Sequence, residues 1–329
     1  MEQLAQQQFT KQFINGEWKD GSSTKSITSY NPYNGEELVT IQAANQQDLD
    51  DAYEAAARAQ KVWEATPLVE KQQRFEQLVA VLQSKRELII DWLINEAGGT
   101  KLKATSEFNS ALRIVKESAS FLTRLTGQIL PSYVPNKENR VYRTAKGVIG
   151  VIGPWNFPFL LSMRSIAPAI ATGNGVVIKP ASDTPVTSGL LFGEIFEEAG
   201  FPAGLVNVIV GRGSEIGDAF VQHPIPSLIS FTGSTEVGRR IGELAGYHLK
   251  DVALELGGNN VMVVLKDANI ERAARAAAFG KFMHQGQICM ALNRIIVEKD
   301  VHDEFVEAFT AIVSKLKVGD PHDDATFIG

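Results

Sequence analysis

The chain has 329 residues, of which 44% are hydrophobic and 21% charged, and its 32 basic against 38 acidic side chains give a formal net charge of −6. This is the composition of a globular protein that is too long for one ordinary core. We therefore expect two domains or one large α/β domain, and disorder and collagen-like repeats are excluded. The acidic balance, with no long run of Lys or Arg, also predicts that neither nucleic acid nor an anionic membrane is a partner.

The sequence predicts a cytoplasmic location. The single cysteine, Cys289, has no second cysteine in the chain with which to form a disulfide, which suits a reducing compartment. The first twelve residues contain no apolar core of a signal peptide. The least polar stretch, residues 147–163, is interrupted by Pro154, Asn156 and Pro158 and would span a membrane poorly.

The first 143 residues predict a small β arm, then helices, then a hairpin. An Asn-Gly hairpin signal lies within residues 13–18, and a second turn lies at residues 31–35. Helical patterns cover residues 48–63, 69–96 and 105–125. Residues 127–143 are polar and rich in turn residues, so we expect a hairpin that projects from the surface.

From residue 148 onward, short β-branched runs alternate with helices. The runs cover residues 148–152, 175–179, 206–210, 228–231 and 252–254, and the clearest helices cover 187–199 and 235–245. This alternation predicts a parallel, doubly wound sheet, in which ligands bind beyond the carboxyl ends of the strands. The last section predicts strands at 261–265 and 294–298 and helices at 270–283 and 301–316.

Two glycine-containing turns follow strands and open helices. In residues 211–217, the last glycine lies one position further along than the dinucleotide fingerprint requires. An ordinary strand-to-helix turn also uses these residue types. In residues 231–238, Ser234 or Thr235 would serve at least as a helix N-cap, and the free N–H groups of a helix start also attract phosphate. Either turn alone is a weak sign of a nucleotide site.

Three polar residues close to strand ends each have a structural and a chemical interpretation. Lys179 would either extend to solvent or donate hydrogen bonds to cofactor hydroxyls. Glu255 would ordinarily lie in solvent, but partial desolvation would raise its pKa and make it a general base. Asn156 would either stabilise the Pro-rich bend as an Asx turn or point its amide at a developing oxyanion.

Cys289 also has two interpretations. A lone cysteine is most often a small buried hydrophobe, whereas a nucleophile needs surroundings that favour the thiolate. His284 suggests a Cys/His dyad, but the sequence shows no residue that would orient it. The five histidines are scattered without the spacing of metal ligands, so we expect no metal.

In their order along the chain, five motifs resemble the NAD(P)-dependent aldehyde dehydrogenase superfamily over essentially the whole sequence. They are Pro154-Trp155-Asn156-Phe157-Pro158, Lys179-Pro180-Ala181, Phe231-Thr232-Gly233-Ser234, Glu255-Leu256-Gly257-Gly258 and Gly286-Gln287-Ile288-Cys289. Within the superfamily, residues 284–290 resemble the benzaldehyde/vanillin dehydrogenase branch.

The resemblance implies catalytic roles for Cys289, Asn156 and Glu255. Cys289 would attack the aldehyde carbonyl, the Asn156 amide would hold the oxyanion, and Glu255 would activate water to hydrolyse the thioester. The implied cofactor is NAD or NADP. Ser182 stands where many NAD-preferring members carry a glutamate, so NADP should be tolerated. The residues expected to contact the cofactor are Ile152, Gly153, Pro154, Trp155, Asn156, Lys179, Ala181, Ser182, Gly213, Phe231, Thr232, Gly233, Ser234, Val237 and Leu256.

The resemblance further implies an α/β fold with a Rossmann-like parallel sheet, an incomplete α/β catalytic domain and a projecting β-hairpin. Residues 1–126 and 147–256 would bind the cofactor, residues 127–146 would form an oligomerisation hairpin, and residues 257–329 would be part of the catalytic domain. Family members are longer, so we expect a chain truncated at its C-terminus whose full-length form is a homo-oligomer.

The expected function is oxidation of an aromatic aldehyde to its acid. One alternative is a catalytically inactive dinucleotide-binding fragment, and another is a Cys/His acyl-transfer hydrolase.

Overall fold

The computed structural model describes residues 9–329, so the part of the first expected domain that falls on residues 1–8 lies outside it. The first elements in the described residues are two hairpins. Their strands are β1 (Gln12–Ile14), β2 (Glu17–Lys19), β3 (Ser26–Tyr30) and β4 (Glu37–Gln42). In the first turn, Asn15 and Gly16 both have left-handed backbones, with φ of 56° and 77°. This is the conformation that an Asn-Gly hairpin turn requires, and it confirms the predicted turn.

Four helices follow, and they differ from the prediction in one respect. They are α1 (Gln46–Ala65), α2 (Leu68–Ser84), α3 (Arg86–Ala97) and α4 (Lys101–Arg124). The single predicted helix over residues 69–96 is wrong, because the chain breaks at Lys85. The Ser84 hydroxyl donates to the Val81 carbonyl at 2.9 Å, a local bond that competes with the helix ladder.

The central sheet contains five parallel strands, as predicted. They are β7 (Val148–Ile152), β8 (Gly175–Lys179), β9 (Val206–Val208), β10 (Pro226–Thr232) and β11 (Asp251–Glu255). The helices between them are α5 (Pro158–Ala171), α6 (Leu191–Glu198), α7 (Asp218–Gln222) and α8 (Thr235–Tyr247). The strand order is β11-β10-β7-β8-β9-β1-β2, so the first hairpin extends the sheet, with β1 antiparallel to β9.

Both faces of the sheet are covered, which explains why its strands read as continuous apolar runs. Every residue of β7 and β8 is buried. Ile149 and Val151 join one hydrophobic cluster, whereas Val148 and Ile152 join another. Alternate side chains of a strand point to opposite faces, so helices pack on each side. That leaves the strand ends as the place for a ligand.

The remaining elements are the exposed hairpin and the C-terminal section. The hairpin consists of β5 (Gln128–Pro131) and β6 (Glu138–Val141), and all eight residues are exposed, as expected for a surface excursion. The C-terminal section contains β12 (Asn260–Val264), α9 (Ile270–Phe282), β13 (Leu292–Val297) and α10 (His302–Val313). Its two strands pair in parallel over a hydrophobic cluster of their own. Within residues 9–329, none of the helices has the length and apolar character needed to cross a membrane.

Candidate active site

A cleft of about 1010 Å³ opens at the carboxyl ends of the parallel strands. The last residues of β7, β8, β10 and β11, which are Ile152, Lys179, Thr232 and Glu255, all line it. The cleft therefore lies where open α/β sheets bind ligands. The other expected site residues that line it are Gly153, Pro154, Trp155, Asn156, Ala181, Gly213, Phe231, Gly233, Ser234, Val237, Leu256 and Cys289.

Ser182 is not among the residues that line the cleft, and its contact with the cofactor stays a prediction. The chain turns after Ala181, and the Ala181 N–H donates to the Ser188 hydroxyl at 3.0 Å, so the segment bends back toward the following helical turn. Ser182 is half-buried in that turn. The cleft also contains Ser214 and Gly217 of the 211–217 turn, and five residues that sequence reasoning missed: Leu161, Arg164, Asp218, Arg240 and Ile241.

Lys179 is buried, so the interpretation as a solvent-reaching lysine is wrong. Its side chain turns inward at the end of β8, and Nζ donates to the carbonyl oxygens of Pro180 at 2.9 Å and Gly211 at 3.2 Å. Burial lowers the pKa of Lys179 to about 8. An ammonium group has three N–H donors, which leaves one for a ligand in the cleft.

The two glycine-containing turns both reach the cleft. Residues 213–217 form a π-helical turn ahead of α7, and a Cβ at Gly213 or Gly217 would meet no atom within 4 Å. The backbone there is open to an approaching ligand. At the other turn, Ser234 caps α8, since its hydroxyl accepts from the Val237 N–H at 3.3 Å. That helix start also faces the cleft, so capping and ligand binding are compatible.

Asn156 connects the first turn of the cleft to the cysteine loop. Its Nδ2 donates to the Gln287 carbonyl at 2.9 Å, and its Oδ1 accepts from the Phe157 N–H at 2.8 Å. The second bond is to the next residue, so the expected Asx turn does not form, because that turn needs an N–H two residues on and Pro158 has none. The first joins two residues that line the cleft and uses one of the two amide N–H groups, which leaves the other for an oxyanion.

Cys289 is an exposed free thiol that lines the same cleft, and it is not the buried hydrophobe of the alternative interpretation. It lies in a turn closed by the Ala291 N–H, which donates to the Ile288 carbonyl at 2.9 Å. Asn260 holds this turn by donating from Nδ2 to the Cys289 carbonyl at 2.7 Å. The loop is thus tied at its backbone while the sulfur faces the cleft.

Glu255 departs from the environment expected of it. Its side chain is 63% exposed and forms an ion pair with Arg164, with 3.2 Å between Oε2 and Nη2. The expected partial desolvation is therefore wrong for this structure. Its backbone is fixed, because the Glu255 carbonyl accepts from the Gly233 N–H at 3.0 Å. The carboxylate enters the cleft beside a cation, and no apolar pocket encloses it.

His284 lies behind the loop and does not share the cleft with Cys289. It is 3% exposed, and the edge of the Phe157 ring packs against it. Burial and the nearby Lys103 ammonium lower the pKa of His284 to about 3. The Asn156 backbone faces the imidazole without completing a hydrogen bond, and neither ring nitrogen has a partner within residues 9–329. The Cys/His dyad is therefore wrong.

Metal ligation finds no support in the side chains that the structure describes. Across residues 9–329, no three His, Cys, Asp or Glu side chains gather as a metal site would require. Besides the Cys289 thiol and the Asn156 amide, the cleft contains the Glu255 carboxylate, the Lys179 and Arg164 cations, and the Arg240–Asp218 ion pair.

The comparison with known proteins agrees with this arrangement. The model of the aldehyde dehydrogenase family matches residues 18–329. The chain belongs to the aldehyde dehydrogenase family. It is 55% identical over 322 residues to a vanillin dehydrogenase of Corynebacterium glutamicum, covering 97% of this chain and 66% of that protein. It is 50% identical over 323 residues to a benzaldehyde dehydrogenase of Bacillus subtilis, covering 98% and 67%.

Solved aldehyde dehydrogenase structures confirm the α/β fold. An NAD-dependent benzaldehyde dehydrogenase from Corynebacterium glutamicum has a TM-score of 0.93 at 55% identity, with 98% of this chain and 69% of that chain covered. A betaine aldehyde dehydrogenase from Staphylococcus aureus, in complex with NAD+, has a TM-score of 0.95 at 32% identity, covering 99% and 65%. The chain thus spans about two thirds of the length of the relatives it matches.

Proposed function

We propose that this aldehyde dehydrogenase chain oxidises an aldehyde to the carboxylic acid with NAD or NADP, using Cys289 as the nucleophile. One observation supports this most strongly: an exposed thiol, the Asn156 amide and the Glu255 carboxylate line one cleft at the strand ends. The names of the relatives at 50–55% identity, vanillin and benzaldehyde dehydrogenase, favour an aromatic aldehyde as substrate.

The residues of the cleft fit a nicotinamide dinucleotide. The open backbone at Gly213 and Gly217 and the start of α8 would receive the pyrophosphate, and the free donor of Lys179 would bind ribose hydroxyls. Trp155, which is 45% exposed, would line the nicotinamide side. When bound, the dinucleotide supplies the hydride acceptor. Ser182, three residues after Lys179, carries no charge and does not line the cleft, so nothing at this position would repel the 2′-phosphate of NADP, and we expect NADP to serve as well as NAD.

Three side chains carry out the remaining steps. The Cys289 sulfur attacks the aldehyde carbon, and the second N–H of the Asn156 amide, with the Cys289 backbone N–H, stabilises the oxyanion. After hydride loss, the acyl group is held as a thioester on Cys289. Glu255 takes a proton from the water that attacks this thioester, and the acid is released.

The proposal extends to organisation and location. Residues 1–126 and 147–256 would bind the dinucleotide, and residues 257–329, with their own hydrophobic cluster, would belong to the catalytic domain. The hairpin of residues 127–146 exposes Ile129, Val141 and Tyr142, and it would pair with another subunit in a homo-oligomer. The single cysteine supports a reducing, cytoplasmic location.

A second candidate is a dinucleotide-binding fragment without turnover. It is favoured by the fact that the chain covers only 66% and 67% of the two relatives at 50–55% identity. Both candidates predict cofactor binding, so binding alone does not separate them.

The test measures formation of reduced nicotinamide by absorbance, with benzaldehyde, vanillin and hexanal side by side and with NAD and NADP. The proposed enzyme oxidises the aromatic aldehydes faster, and Cys289→Ala removes the activity while cofactor fluorescence titrations stay unchanged. Cofactor binding without turnover by the parent chain would support the fragment. Turnover that survives Cys289→Ala would contradict the mechanism.

A further inference from the structure

Arg164 lines the cleft, and the proposed mechanism assigns it no role. Its Nη2 lies 3.2 Å from Glu255 Oε2, and the two side chains are 43% and 63% exposed. Within residues 9–329, this is the only hydrogen bond or ion pair of the Glu255 carboxylate. Both side chains share the cleft with Cys289.

The fold brings Arg164 to this position from a separate element. Helix α5 begins just after the Asn156 turn, and the Ser165 and Ser230 hydroxyls, 2.9 Å apart, fix it against β10. β10 is the neighbour of β11, and Thr232 pairs with Glu255 at their carboxyl ends. Arg164 therefore reaches past the end of β10 to the last residue of β11.

The ion pair between Arg164 and Glu255 limits the motion of the carboxylate and still leaves it able to accept a proton. A glutamate side chain that is mostly in solvent samples many rotamers, and a single charged partner reduces that freedom. The other cation on this side, Arg240, is bonded to Asp218 and is not shared with Glu255. The ion pair uses Oε2, which leaves Oε1 to accept a proton.

We propose that Arg164 is a positioning residue for deacylation: its guanidinium holds the Glu255 carboxylate in the cleft, facing the thioester on Cys289. This rests on the proposed function. In the step concerned, the water oxygen bonds to the acyl carbon and one water proton passes to Glu255. The carbon–sulfur bond then breaks with its electron pair on the Cys289 sulfur, and the acid leaves. No oxidant is needed for this step.

The experiment acylates Cys289 with p-nitrophenyl acetate, which needs no cofactor and separates acylation from deacylation. The first turnover releases a burst of p-nitrophenolate, and the steady rate afterwards reports deacylation. Arg164→Gln should keep the burst and lower the steady rate about two- to fivefold, the effect of losing one exposed ion pair. Arg164→Lys, which keeps the charge, should recover most of the rate.

A double-mutant cycle distinguishes positioning from a general structural effect. If Arg164 acts through Glu255, Arg164→Gln in the Glu255→Gln background changes the steady rate no further. An additional loss in that background, or a parental steady rate in Arg164→Gln alone, overturns the inference. Absence of a burst in the parent overturns the proposed function and the inference with it.

Discussion

Replacing Glu107 by Gln tests the support beneath the Asn156 turn. Lys103 and Glu107 form an ion pair on α4 whose side chains are 1% and 0% exposed. Glu107 Oε1 also accepts from the Phe159 N–H at 2.9 Å and the Leu160 N–H at 3.1 Å, so it caps the start of α5. The Lys103 Nζ lies 4.5 Å from the centre of the Phe157 ring. The pair thus holds the segment that carries Asn156.

The expected loss of stability has a lower and an upper bound. Breaking a buried ion pair costs about 3–5 kcal/mol, because one charge is left unpaired. The cost of burying the unpaired Lys103 charge cannot exceed the cost of deprotonating Lys103, which is about 5 kcal/mol at pH 7 for an ordinary lysine. Glutamine keeps an acceptor for the two N–H groups, so Glu107→Gln removes the charge and the hydrogen bond to Lys103 while the cap of α5 stays in place. We expect a loss of about 3–5 kcal/mol in the free energy of unfolding at pH 7.

The loss should shrink as the pH rises. Burial lowers the pKa of Lys103, and without Glu107 the folded state holds a neutral amine while the unfolded state holds a proton. Stability then increases with pH, because the unfolded state binds more protons. The deprotonation cost falls to about 2 kcal/mol at pH 9.

Urea denaturation followed by tryptophan fluorescence measures both values, and the chain contains four tryptophans. The control is the double variant Lys103→Met and Glu107→Gln, which removes the unpaired charge and should be more stable than Glu107→Gln alone. A loss below about 1 kcal/mol at pH 7, or a loss of equal size at pH 9, would refute the reasoning.

Three further predictions follow from other buried groups. The pKa of Lys179 is about 8, so its charge is lost above that pH. The dissociation constant for NADP should therefore rise about tenfold relative to that for NAD between pH 7 and 9. Fluorescence titration measures both constants, and an unchanged ratio between them would contradict the prediction. Burial raises the pKa of Glu96 to about 7, so the folded state binds more protons than the unfolded state between about pH 4.5 and 7. The free energy of unfolding should therefore fall by about 3 kcal/mol as the pH rises through that range. Denaturation curves of Glu96→Gln should lack this dependence on pH. A Cβ at Gly150 would lie 2.8 Å from three buried side chains, so Gly150→Ala should cost about 1–3 kcal/mol by overpacking, and an unchanged melting temperature would argue against it.

The sequence predicted the sheet and most of the cleft because both follow from local patterns. The strands over residues 148–152 and 175–179 have the predicted bounds, since unbroken β-branched runs mark strands buried on both faces. The carboxyl ends of parallel strands meet at one edge, so residues as distant in sequence as Ile152 and Glu255 reach the same cleft.

Long-range contacts explain what the sequence did not predict. The pairing of β1 with β9 joins residues about 195 positions apart, and no local pattern encodes it. Arg164 directly follows the apolar stretch of residues 147–163, and only the packing of α5 against β10 shows that it reaches Glu255. Ser182 follows the Lys179 motif directly, yet the turn removes it from the cleft.

The backbone of the segment before Cys289 explains why His284 and Cys289 do not form the Cys/His dyad that the sequence left open. His284, Gln285 and Gly286 all have left-handed backbones, with φ of 47°, 56° and 72°. Such conformations are costly for residues other than glycine and persist where the surroundings enforce them. Here they turn the imidazole inward against Phe157, where the Lys103 charge opposes its protonation, while the sulfur five residues later faces the cleft. A base that is buried, uncharged and on the far side of the loop cannot activate the thiol. Two carboxylates line the cleft with Cys289, and because Asp218 is paired with Arg240, Glu255 is the one that we propose as the proton acceptor in the hydrolysis of the thioester.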